Sequence, residues 1–343
     1  METEDELAGV DFTPYSRVGV TAGASTPSWS IDRVMAYLKT LEDQSRAPVL
    51  SKAKRVLEAL VVTSAYTSIA AGVLCYVAAL LQGIPFRLSS FALVFCYVLA
   101  MHVLNRFTER NLDRFRDDPV RARFYEKNKR FMQALGVGSA LAAVAVGFYM
   151  GVLPFLLVLA ASILGILYSV KIVPKRVTKY VGFRRLKDIA ASKNFFVASA
   201  WAVVSVFPLF FLTENAGLGQ TLLTFFFLFL VTGIRSVVVD LTDMNADRLV
   251  GRETIPLVFG EKKTKQALLY GCAALGVLLI AVAGVGIFPP FAWILGLVVL
   301  AETIFFHYRG FSFDRVSVVR RDFLVDTHFL AAGLVALEWT LFV

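Results

Sequence analysis

The chain has 343 residues, 57% of them apolar, and a mean hydropathy of +0.67. That is far above a water-soluble domain, so the composition excludes a pair of globular domains and implies an all-α, polytopic membrane protein. A net charge of +9 raises nucleic acid as a partner, but the basic residues sit in membrane-proximal loops without a recognisable nucleic-acid module, so none is expected.

Residues 1–50 form a polar tail, expected on the cytoplasmic side. It begins with Glu2, Glu4, Asp5 and Glu6 and lacks a basic region followed by an apolar stretch. It therefore does not read as a cleavable signal peptide, and the first spanning helix is expected to act as the insertion signal. Trp29, Ile31, Val34, Met35, Leu38 and Leu41 recur at helical spacing among charges, as in a helix lying at the membrane interface.

Residues 51–343 read as one transmembrane domain. Apolar stretches at 56–82, 89–108, 131–150, 152–170, 194–213, 219–239, 266–288, 289–307 and 324–343 are each long enough to cross a bilayer, which predicts nine helices. Short breaks at Gly83 with Pro85, Gly151 with Pro154, and Pro289 with Pro290 predict tight antiparallel hairpins between helices 1 and 2, 3 and 4, and 7 and 8. Cys75, Cys96 and Cys272 all fall inside apolar stretches and suggest small buried side chains, with no disulfide framework. Of the 35 Lys and Arg, all but Arg87 fall on one side of the resulting topology. The positive-inside rule then puts the N-terminus in the cytoplasm and the C-terminus outside.

Two acidic runs stand at the cytoplasmic ends of helices 2 and 6: Asn105, Glu109 and Asp113, then Asp240, Asp243 and Asp247. Offsets of 0, 4 and 8 residues span about 80° of a helix, and offsets of 0, 3 and 7 about 60°, so each run projects its oxygens from one face. Carboxylates that close repel one another and are costly to desolvate at a membrane boundary, which calls for a cation. Hard oxygen ligands favour Mg2+, which shares its remaining positions with water and substrate phosphates. The alternative is that these acids pair with Arg106, Arg110, Arg114, Arg248 and Arg252 nearby.

Other polar groups lie deeper. His102, one turn below Asn105, reads more simply as a hydrogen-bond donor between packed helices than as an acceptor contact. Arg235 lies more than a turn deeper than Asp240 and needs a nearby anion, so it is a candidate diphosphate ligand. Glu302 and Glu338 fall inside helices 8 and 9 with no assigned role. Thirty Phe, including Phe225, Phe226 and Phe227, suit an isoprenoid chamber and lipid contact equally.

Two acidic runs four helices apart suggest two related four-helix halves plus a ninth helix. Here the chain resembles the UbiA superfamily of intramembrane prenyltransferases. Asp240-Leu-Thr-Asp243-Met-Asn-Ala-Asp247-Arg248, followed by Gly251-Arg252-Glu253-Thr254-Ile255-Pro256 and Gly260, matches the second motif and its "G-x-x-T-I-P" continuation. The first motif keeps the N-x3-D-x3-D spacing with Glu109 at its centre. It departs at Arg106, where most members carry Asp, and in Asp118 to Tyr125, which replaces the usual "T-x-x-R-P" stretch.

The resemblance implies that Asn105, Glu109, Asp113, Asp240, Asp243 and Asp247 are the catalytic residues and hold Mg2+. These would bind an isoprenyl diphosphate donor, whose prenyl group passes to a lipophilic or aromatic acceptor within the membrane. It also offers Tyr168 with Lys171, Lys187 with Lys193, and Arg248 as diphosphate-binding residues, although the lysines serve equally as positive-inside anchors. One branch resembling this superfamily transfers phosphoribose from phosphoribosyl diphosphate to a polyprenyl phosphate, but its "R-P-x-Q-W-x-K-N" stretch is missing before helix 1. A cation transporter is the remaining alternative, disfavoured because the acids are terminal rather than at the midplane.

Overall fold

The computed structural model describes residues 48–108, 119–169, 192–213, 216–251, 253–309 and 318–342, with scattered positions between 7 and 38. Every regular element among them is helical: α1 (Pro48–Val62), α2 (Ala65–Leu81), α3 (Leu88–Thr108), α4 (Pro119–Lys127), α5 (Lys129–Met150), α6 (Val152–Ser169), α7 (Ser192–Phe210), α8 (Leu218–Val250), α9 (Ile255–Phe259), α10 (Glu261–Gly284), α11 (Phe291–Arg309) and α12 (Val318–Phe342). The chain divides into two compact units, Met1–Ala59 and Leu60–Val343. In the first, Ile31, Val34, Met35 and Leu38 are helical, while Trp29 and Leu41 lie outside the described residues.

Six helices are long and apolar enough to cross a bilayer: Leu88–Phe107, Lys129–Met150, Ser192–Phe210, Leu218–Asn245, Glu261–Gly284 and Val319–Phe342. Lys52–Val62 with Ala65–Leu81 passes the same test as one broken span, and Val152–Tyr168 and Phe291–His307 are shorter apolar helices. Large apolar side chains stand exposed along these elements, among them Leu141, Phe148, Leu164, Val277, Leu297 and Leu334. In water such a surface would aggregate; in lipid it is the required exterior. The chain is an integral membrane protein.

The expected continuous helix over 56–82 is broken at Thr63 and Ser64. Ser64 takes a left-handed conformation, φ 66°, which a side chain adopts only at a cost. Local hydroxyl bonds offer the backbone an alternative there: Thr63 Oγ1 donates to the Leu60 carbonyl at 3.2 Å and Ser68 Oγ to that of Ser64 at 2.9 Å. The expected short turns are present. Gly83 adopts φ 63° after α2, with Ile84 N donating back to the Ala79 carbonyl at 2.9 Å, and Gly286 adopts φ 76° between α10 and α11.

Helix α2 is the hub of the larger unit, packing against α3, α7, α8, α11 and α12. Its end is pinned to the start of α8: Gln220 Nε2 donates to the Leu81 carbonyl at 2.8 Å and Thr221 Oγ1 to Gln82 Oε1 at 3.0 Å. The 33-residue α8 therefore starts from a fixed point and carries the second acidic run near its other end. The three cysteines are free thiols, with Cys75 buried.

Helices α10 and α11 meet through glycines. A Cβ on Gly296 would lie 2.9 Å from the Gly276 carbonyl oxygen and 2.7 Å from Ile280 Cγ1, and one on Gly276 would lie 2.7 Å from Leu300 Cγ. Close backbone approach between small residues supplies packing where lipid offers no hydrophobic drive. Gly296→Leu should destabilise the protein by about 1–3 kcal/mol, the usual cost of overpacking, read as a lower unfolding temperature in detergent.

Candidate active site

The second acidic run is the best-defined part of the site. Asp240, Asp243 and Asp247 lie on α8 itself and are buried, with Asp240 and Asp247 at 0% exposure. Lys193, at the start of α7, donates from Nζ to Asp240 Oδ1 at 2.7 Å. Among the described residues Asp240 Oδ2 meets no hydrogen-bond donor. A buried carboxylate oxygen in that condition is costly, and a metal ion is one way to satisfy it.

Arg321 donates to Asp243 Oδ1 and to Thr242 Oγ1, the latter at 2.8 Å. It also grips Asp322, whose other oxygen accepts from Arg121 Nη2 at 2.9 Å. Deeper in the bundle, Arg235 Nε donates to Asp326 Oδ1 while Thr67 Oγ1 donates to Asp326 Oδ2. The Arg235 guanidinium lies over the Trp201 ring, its carbon 5.3 Å from the centroid. The anion that the sequence demands for Arg235 is thus supplied by Asp326 of α12.

Asn105 is on α3 and half-buried, while Glu109 and Asp113 lie outside the described residues, as do Lys171 and Lys187. Tyr168 is buried at the end of α6, its ring tilted against that of Phe196 with centroids 4.8 Å apart and its hydroxyl 3.5 Å from Ser192 Oγ, so it joins α6 to the start of α7. Arg248 is exposed. His102 rests edge-on against Trp201, ring centroids 6.0 Å apart. Glu302 pairs with His328 at 3.0 Å between α11 and α12, and Glu338 is exposed.

Among the described residues no three His, Cys, Asp or Glu side chains converge closely enough to hold a metal ion by themselves. The donor set still suits a hard cation held openly: all-oxygen ligands along one helix face, one of them with an unsatisfied oxygen. Such an ion takes its remaining ligands from water and phosphate.

The model of the UbiA prenyltransferase family matches residues 64–332. This chain belongs to that family. Two solved UbiA homologs share its fold. One, from Aeropyrum pernix K1, is 19% identical with a TM-score of 0.58 and covers 79% of this chain and 98% of its own. Another, from Archaeoglobus fulgidus and bound to GPP and Mg2+, is 14% identical with a TM-score of 0.59 and covers 82% and 99%. A 41-residue stretch is 46% identical to the 4-hydroxy-3-methylbut-2-enyl diphosphate reductase of Clostridioides difficile (strain 630), spanning 12% of this chain and 15% of that protein.

Four charged residues that sequence reasoning left out take part in these ion pairs: Arg121, Arg321, Asp322 and Asp326. Helix 9 is expected from residue 324, but α12 starts at Val318, which puts Arg321, Asp322 and Asp326 on the helix. The signal is present as Arg321-Asp322-x3-Asp326, whose two acids are one turn apart. Arg121 falls in the 2–3 loop of the nine-stretch reading. Pro119 opens a short helix there, as proline suits a first helical position, and Arg121 is 1% exposed on it.

Proposed function

We propose that this member of the UbiA prenyltransferase family transfers a prenyl group from an isoprenyl diphosphate to a lipophilic or aromatic acceptor in the membrane, with Mg2+ as cofactor. The observation that carries the reading is Asp240. Its Oδ1 is held by Lys193, its Oδ2 is unsatisfied among the described residues, and it shares a helix face with two further buried aspartates. The A. fulgidus homologs bound to GPP and to DMAPP, both with Mg2+, support the donor class.

In this reading Asn105, Glu109, Asp113, Asp240, Asp243 and Asp247 would hold Mg2+, which would supply positive charge to neutralise the departing diphosphate. Lys193 has its ammonium at the acid face and reaches a diphosphate oxygen from there; Tyr168, Lys171, Lys187 and Arg248 are further candidates around it. Arg235 spends Nε on Asp326, so only its Nη groups are left for a ligand oxygen. The allylic C–O bond breaks with its electron pair leaving on the diphosphate. An electron-rich carbon or a hydroxyl oxygen of the acceptor forms the new bond and gives up a proton.

The test is incubation of the purified protein and Mg2+ with labelled isoprenyl diphosphates and a panel of acceptors that includes a hydroxybenzoate, a naphthoate and a glycerol phosphate lipid, beside a parallel reaction with labelled phosphoribosyl diphosphate and a polyprenyl phosphate. Lipid-soluble products are then identified by mass. A prenylated acceptor is expected, and a sugar-bearing product formed from phosphoribosyl diphosphate would overturn the reading.

The accompanying topology has nine crossings, residues 1–50 as a cytoplasmic tail with an interfacial helix, and an active site open to the cytoplasm. A reporter fused after Val343 should signal outside and one near Pro119 should signal cytoplasm. Cytoplasmic signals from both would mean an even number of crossings between the two points where the reading has an odd one.

A further inference from the structure

We propose that Arg321 is a positioning residue for the metal-binding face, fixing Asp243 and tying it to the segment that follows the first acidic run. The inference rests on the function proposed above. Arg321 lies in the first turn of α12 and uses three nitrogens at once. Nη1 donates to Asp243 Oδ1 and Thr242 Oγ1, while Nε and Nη2 donate to Asp322 Oδ1 at 3.0 and 2.8 Å. Asp322 Oδ2 then accepts from Arg121, whose Nη2 also reaches the Val61 carbonyl at 3.4 Å. The order Arg121, Asp322, Arg321, Asp243 alternates in sign and sums to zero, and all four residues are buried.

Stability alone does not account for such a chain, because buried ion pairs are commonly no better than apolar packing of the same volume. Its end point does. A carboxylate is planar, so fixing Asp243 Oδ1 also fixes where Oδ2 points, and a metal ligand must point correctly to serve. The groups that orient a metal's ligands control affinity and activity nearly as strongly as the ligands themselves. Arg121 lies eight residues beyond Asp113 in sequence, so α12 gives the segment after the first run and the second run a common reference.

Removing Arg321 has two opposed consequences, and their balance tests the proposal. Loss of a positive charge beside the acids attracts a cation more strongly; loss of the fork lets Asp243 turn and weakens binding. Arg321→Lys separates them, since it keeps the charge and cannot hold Thr242, Asp243 and Asp322 together. The experiment uses the full chain in detergent and reads the Mg2+ concentration that gives half of the melting-temperature shift in the presence of inorganic pyrophosphate.

Arg321→Lys, Arg321→Gln and Asp322→Asn should each raise that midpoint about 10- to 100-fold. The same variants should lower kcat in the prenyl-transfer assay. Arg321→Lys combined with Asp243→Asn should shift the midpoint no further than Asp243→Asn alone. If Arg321→Gln does not fold, the lysine and asparagine variants decide the question. A wild-type midpoint in Arg321→Lys, a lower midpoint in Arg321→Gln, or no Mg2+-dependent shift in the wild-type protein would each overturn the inference. Wild-type protein that makes no prenylated product while the variants still move the midpoint would sink the function and leave Arg321 as a positioning residue.

Discussion

Asp240→Asn and Asp247→Asn should each lower turnover about 10²- to 10³-fold, the usual loss when one group that stabilises developing charge is removed. Asparagine keeps the shape of the side chain and removes the charge. Asp240 has the clearer case, because its Oδ2 has no protein donor among the described residues and its Oδ1 already holds Lys193. The amide leaves Lys193 still partly solvated, its side chain 29% exposed, so the melting temperature should fall by only a few degrees. Initial rates measured across a Mg2+ series, beside a thermal melt in detergent, check both halves. Wild-type rates in either variant at saturating Mg2+ would remove that aspartate from the metal site.

The largest expected loss of stability is at Asp326. Asp326→Ala leaves the Arg235 guanidinium without its carboxylate and the Thr67 hydroxyl without its acceptor, inside a helix bundle where water cannot replace either. Breaking a buried pair by removing one partner costs about 3–5 kcal/mol, whereas replacing both partners with apolar groups is often neutral. The double variant Asp326→Ala with Arg235→Met should therefore recover most of what the single variant loses. Unfolding in detergent measures both, and losses that simply add would mean that the two residues do not depend on one another.

Much of this architecture was legible in the residues themselves. Uninterrupted apolar runs report membrane helices because the bilayer forces each backbone to satisfy itself, and the glycines at 83 and 151 mark turns that a side chain would strain. The acids at 240, 243 and 247 were legible for a similar reason: one face of one helix is a local property, and spacing alone reveals it. What was not legible is long-range. Lys193 meets Asp240, Arg235 meets Asp326 and Arg121 meets Asp322 across 47, 91 and 201 residues, and no periodicity records such pairings. Arg321 and Asp322 carried the additional disguise of standing where basic residues normally anchor a helix end. The break at Ser64 was hidden because serine and threonine can also sit inside a helix, bonding back to the carbonyl one turn earlier, so their presence alone does not mark an interruption.

The length of α8 carries a consequence for where the chemistry occurs. At 1.5 Å per residue its 33 residues extend for about 50 Å, while the hydrocarbon layer is only about 30 Å thick. If its first turn, clasped to the end of α2, marks one boundary, about 20 residues suffice to reach the opposite boundary near Val238, and about three turns are left for the headgroup layer. Asp240, Asp243 and Asp247 all lie on that overhang. Under the proposed function an ion and a diphosphate would then arrive from water while an isoprenoid tail stays in oil, and neither would have to cross into the other's phase. Reconstitution into bilayers of graded acyl-chain length should accordingly change the rate, with thick membranes drawing the overhang into hydrocarbon and suppressing turnover.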